Sequence, residues 1–176
     1  MTRTTNARLA GVALLFYIAA GISALMLARW PHARSVLSLL TSFAALVLGV
    51  TLYAITRDED RDLALLGMAC RIVEAVPGGE GVGAIFFAVG STIFAWLLLR
   101  GRLIPLALAR LGVVASVLLV VILFMQRGGL FASAVNWSSS VAWFVWLPML
   151  VFEVALALWL IIKGVRGPAP NSAPAV

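Results

Sequence analysis

Long apolar runs alternate with short polar breaks along this chain, and the breaks carry most of its charge. An α-helix needs about 20 predominantly apolar residues to cross the hydrocarbon core of a bilayer. On that measure the runs predict spans at about residues 9–28, 35–56, 63–76, 82–99, 105–125 and 139–162. The expected fold class is all-α, a polytopic membrane bundle of about six transmembrane helices. The third run is the shortest, and it carries Arg71 and Glu74.

The breaks have their own chemistry. Arg29-Trp30-Pro31-His32-Ala33-Arg34 is a tight polar turn. Residues 57–62 are six consecutive charges, read as a solvated turn in which Asp60 or Asp62 caps the next helix. Pro77-Gly78-Gly79-Glu80-Gly81 ends the third run; lacking a lysine and a preceding strand, it is not a phosphate loop. Pro105 suits a first helical turn. Pro148 falls inside the sixth run, where neighbouring groups in a membrane helix absorb a kink. The longest loop, 126–138, contains Asn136-Trp137-Ser138, which matches a glycosylation sequon. Residues 1–166 read as a single bundle domain, and 167–176 as a disordered cytoplasmic tail.

Composition strengthens the membrane reading. Of 176 residues, 63% are hydrophobic and 11% charged, against about 25% charged in soluble domains. The apolar run after Arg3 and Arg8 is longer than the core of a cleaved signal peptide and lacks a small-x-small cleavage site, so it reads as the first span. The net charge of +6 would suggest nucleic acid in a soluble protein. Here the cations sit at helix ends, where they meet lipid headgroups, so membrane lipids are expected as partners and nucleic acid is not. Cys70 is the sole cysteine and reads as a small packing residue. His32 is the sole histidine and has no companions for a metal site. No cofactor motif is present.

Loop charges give an orientation. Arg3, Arg8, Arg57, Arg61, Arg100, Arg102, Lys163 and Arg166 fall on one side, and Arg29, Arg34 and Arg127 on the other. The positive-inside rule then places both termini in the cytoplasm, in a bacterial cytoplasmic (inner) membrane. Trp30, Trp137, Trp143 and Trp146 fall toward the outer interface, and Trp96 and Trp159 toward the inner one. That is an aromatic belt, which argues against a tryptophan ligand cage.

Charges inside the spans are the informative feature, because each costs at least ~2.5–3.5 kcal/mol at the bilayer centre. Arg71, Glu74, Arg110 and Glu153 qualify. Counting ~1.5 Å per residue from the cytoplasmic end places all four at ~12–18 Å depth. Arg71 and Glu74, three apart, share a face and can pair. Glu153 then needs a proton or a cation, from Arg71 or Arg110. Tyr17 and Ser91 lie at similar depth. Purely structural roles weigh equally for Arg71, Glu74 and Glu153, and snorkelling to the interface is favoured for Arg110. For Tyr17 and Ser91 packing is the favoured role. Ala45/Gly49 and Ala84/Ala88 fit close helix packing.

Three stretches resemble the domain-of-unknown-function 4386 family, an uncharacterised bacterial membrane family. They are Ala7-Arg8-Leu9-Ala10-Gly11, then 63–74 ending in Arg71-Ile72-Val73-Glu74 and followed by Ile85-Phe86-Phe87, and Phe152-Glu153-Val154-Ala155-Leu156-Ala157-Leu158-Trp159. The connection between the first two spans is short for that family. The resemblance implies a multi-span helical bundle with Arg71, Glu74 and Glu153 in its recurring motifs, and it implies no activity.

Three functions compete. The bundle binds or moves a small lipophilic or ionic ligand at its Arg/Glu cluster, where a sizeable pathway calls for a homo-oligomer. Or it is an intramembrane acid–base enzyme on a lipid or isoprenoid-like substrate, with Glu153 or Glu74 as the acid, although no nucleophile–base pair accompanies them. Or it is a structural or regulatory partner of another membrane protein.

Overall fold

The computed structural model describes residues 2–76, 82–130 and 140–165, with side chains of the last stretch described from Phe144 onward. The turn at 77–81, the sequon, Arg166, the tail 167–176 and the side chains of Trp137 and Trp143 lie outside the described residues. The described residues form six helices: α1 (Arg3–Met26), α2 (Pro31–Thr56), α3 (Arg61–Ala75), α4 (Val82–Arg100), α5 (Leu106–Arg127) and α6 (Ser140–Ile162). Five are long and apolar enough to cross a membrane, and the chain is a multi-pass membrane protein. The exception is α3, whose 15 residues reach only ~22 Å.

Local chemistry explains the helix ends. At Thr2 the hydroxyl accepts from the Thr5 amide and starts α1 six residues earlier than hydropathy predicts. Pro31 occupies the first turn of α2, where its missing N–H is harmless, so the polar break shrinks to four residues, 27–30. Asp60 caps α3 as expected, accepting from the Leu63 amide at 3.1 Å. Hydroxyls within the apolar helices bond to carbonyls one turn back, as from Thr51 to Val47 and Ser116 to Gly112. In lipid such groups have no water to turn to.

Each helix packs on its sequence neighbours, and α6 closes the ring against α1. Short connections make neighbours antiparallel, so the bundle has two ends. One holds the start of α1, the α2–α3 turn, the α4–α5 turn and the end of α6. It is tightly closed. Arg3 donates to the Ile55 carbonyl at 2.9 Å and lies 3.8 Å from Glu59, and Arg100 meets Asp60 at 3.3 Å. The charged run 57–62 is therefore partly a clamp, since two of its acids pair across helices. Leu103 and Ile104 are buried beneath it.

Glycines let backbones approach in this half. A Cβ on Gly11 would lie 2.7 Å from the Ala157 carbonyl, and one on Gly49 would lie 2.9 Å from Arg71 Cβ. Close packing of this kind, rather than hydrophobic exclusion, holds membrane helices together. The Ala45/Gly49 spacing thus marks a real contact, with Ala45 buried as well.

The other end holds the α1–α2 turn, the end of α3 and the starts of α4 and α6. Cavities lie between the helices toward that end.

Candidate functional site

The cluster forms where the closed half meets the open one. On α3, the Arg71 and Glu74 side chains are 3% and 7% exposed, and Arg71 Nη1 donates to Glu74 Oε2 at 3.0 Å. Nη2 of the same guanidinium donates to Ser91 Oγ on α4 at 2.9 Å. From α1, the Tyr17 hydroxyl donates to Glu74 Oε1 at 2.6 Å. Three helices are thereby tied through one ion pair.

Glu153 on α6 is 6% exposed, and its Oε1 has no hydrogen-bond partner among the described residues. Nε of Arg71 likewise has none. Both residues line a cavity of about 20 Å³, room for a single water. Toward the closed end that cavity is sealed by Leu14, Leu48, Leu52, Phe94, Leu98 and Leu156, all buried.

Phe87 organises the aromatic side of the site. Its ring stacks on Tyr17 with centroids 6.3 Å apart, meets Trp146 at 5.9 Å, and carries the Arg71 guanidinium carbon 4.8 Å from its centroid. That cation–π contact shares in stabilising the buried arginine.

Toward the open end, two cavities meet at Tyr17, Gly21, Leu25 and Thr41. The larger, about 550 Å³, runs from Tyr17 and Glu74 past Ser42 and Ser38 to Ala28 and Arg34 beside the α1–α2 turn. The smaller, about 250 Å³, is walled by Ile18, Ile22, Phe87, Trp146 and Leu150 and reaches Glu153. Both cavities are lined by residues of one chain.

The sequence-derived candidates separate here. Tyr17, Glu74 and Glu153 line the two cavities that meet, while Arg71, held by Ser91 and Glu74, borders among these only the cavity of about 20 Å³ behind them. Arg110 does not join them: it is exposed on the outer face of α5, with no ion pair among the described residues. Equal depth brought it to the right level, but its side of the helix faces away. Trp146 is also reassigned, because it packs on Phe87 and lines a cavity instead of serving only an interfacial belt. Phe87 was missed as a site residue. Its signal was its place one turn from Ser91, on the same face of α4. Cys70 is buried and free. No group of acids, Cys or His that could hold a metal occurs among the described residues.

A family model described as "Domain of unknown function (DUF4386)" matches residues 77–164, half of the chain. The match includes Phe87, Ser91, Trp146 and Glu153, while Tyr17, Arg71 and Glu74 precede it. No curated protein and no solved structure matches.

Proposed function

The chain belongs to the domain-of-unknown-function 4386 family, and from that premise we propose that it binds a small lipophilic or ionic ligand in the cavities ending on Tyr17, Glu74 and Glu153, with Arg71 behind them paired to Glu74. This reading sets the ligand inside a bacterial cytoplasmic membrane, within one domain over residues 1–166 and with both termini in the cytoplasm.

Gly21 carries the proposal. Glycine in a helix interior costs about 1 kcal/mol relative to alanine, and at Gly11, Gly49, Gly67, Gly90 and Gly112 a close neighbour explains it. A Cβ at Gly21 would meet nothing within 4 Å. The residue keeps open the wall shared by both cavities, which is what an occupant needs and a purely structural bundle does not. A cavity sealed toward one end suits a binding site or an outward-open state better than a continuous channel.

The test is native mass spectrometry of protein taken from its own membranes in mild detergent. The expected result is a discrete small-molecule adduct on the wild type, lost in Gly21→Phe, whose ring has space to enter the cavity. Identical spectra for the two proteins, each folded by circular dichroism, would overturn the reading.

A further inference from the structure

We infer that the occupant of the smaller cavity is an amphipathic cation, an ammonium group on a compact apolar body, with its charge at Glu153. The inference rests on the ligand-binding reading above and names the ligand's chemistry.

The first support is charge. The buried cluster holds two carboxyl groups, Glu74 and Glu153, and one guanidinium, Arg71. Arg110 is outside it. The Arg71 nitrogens Nη1 and Nη2 are engaged by Glu74 and Ser91, and Glu74 takes a further bond from Tyr17. Among the described residues Glu153 makes no ion pair and its Oε1 has no hydrogen-bond partner. A buried carboxylate is retained when something positive or a proton accompanies it.

The second support is the wall. Glu153 reaches a cavity of about 250 Å³ whose other lining includes Tyr17, Phe87, Trp146, Ile18 and Leu150. Phe87 already carries the Arg71 guanidinium and stacks on Tyr17, so Tyr17 and Trp146 are the aromatic neighbours that a second cation would meet, and a carboxylate beside them would hold it by an ion pair. Apolar lining with one charged group also sets orientation, apolar body outward and charge at the floor.

Two sources carry this chemistry, a free lipophilic amine and the ammonium headgroup of an aminophospholipid. Calorimetric titration with benzyltrimethylammonium and its neutral isostere neopentylbenzene tests the class, using full-length protein in nanodiscs of phosphatidylglycerol. The ammonium should bind about tenfold tighter than the isostere. Glu153→Gln should erase that preference, Glu153→Asp should keep part of it, and Gly21→Phe should abolish binding of both. Adding phosphatidylethanolamine separates the sources: competition identifies the headgroup, and no competition the free amine, either of which supports the inference. Equal affinity for the two probes, preference retained in Glu153→Gln, or an infrared signature of a protonated Glu153 that survives saturating ammonium would overturn it. If neither probe binds but the Gly21-sensitive adduct is present, the cation assignment alone fails. If that adduct is also missing, the ligand-binding reading fails with it.

Discussion

The closed and open halves of this bundle are built from the same six helices, yet they obey different packing rules. In the closed half, Gly11, Gly49 and Gly90 each have a neighbour within about 3 Å of where a Cβ would sit. Core leucines fill the remaining space. In the open half Gly21 faces space, and the walls between α1, α2 and α6 are lined but not filled. Lipid-facing helices gain little from hydrophobic exclusion among themselves, so contact quality decides where they adhere. The contrast implies that stability resides in the closed half, and the proposed ligand site lies in the open one, with Arg71 at the seam.

Removing that seam should have the largest effect. Arg71→Met leaves Glu74 buried with only the Tyr17 hydroxyl, and breaking a buried pair costs about 3–5 kcal/mol. Thermal melting in detergent should show a large loss, and the double variant Arg71→Met/Glu74→Gln should recover much of it by removing the stranded charge. Full stability in the single variant would mean that the ion pair does not join the halves.

One substitution made twice tests the packing contrast directly. Gly11→Ala pushes a methyl against the Ala157 carbonyl and Ile161. Overpacking costs about 1–3 kcal/mol, partly offset by a propensity gain of about 1 kcal/mol, so net destabilisation is expected. Gly21→Ala meets nothing and should stabilise by about 0.5–1 kcal/mol. Opposite signs in unfolding measurements support the two-half view, and equal signs break it.

The halves also differed in how far they could be read from sequence. Helix number and approximate limits followed from the apolar runs, and the Asp60 cap from its position after the charged turn. The Arg71–Glu74 pair followed from spacing on one helix. Side-chain depth could be counted, which brought Tyr17, Ser91 and Glu153 to one level. Direction around the helix could not be counted, because Arg110 and Glu153 each stand among apolar neighbours on α5 and α6 and lipid removes the contrast that marks an inner side. Arg110 was therefore grouped with residues it does not meet. Tryptophan has two good environments in a membrane protein, interface and packed interior, and for Trp146 only the tertiary contact with Phe87 distinguishes them. The cavity itself was invisible, since empty volume has no letter in a sequence; Gly21 was its nearest trace.

The smallest effect should come from the most visible electrostatics. Arg100 and Asp60 meet at 3.3 Å across the closed end, but their side chains remain 54% and 30% exposed. Exposed pairs contribute about 0.2–1 kcal/mol and weaken with salt. Arg100→Gln should therefore lower stability slightly, and raising the ionic strength should shrink the difference from wild type. If the closed half is held by backbone approach, this loss must stay well below that of Gly11→Ala. A loss as large as that, abolished by salt, would show that the ion pairs at 57–62 close the end, and that the glycine contacts merely follow.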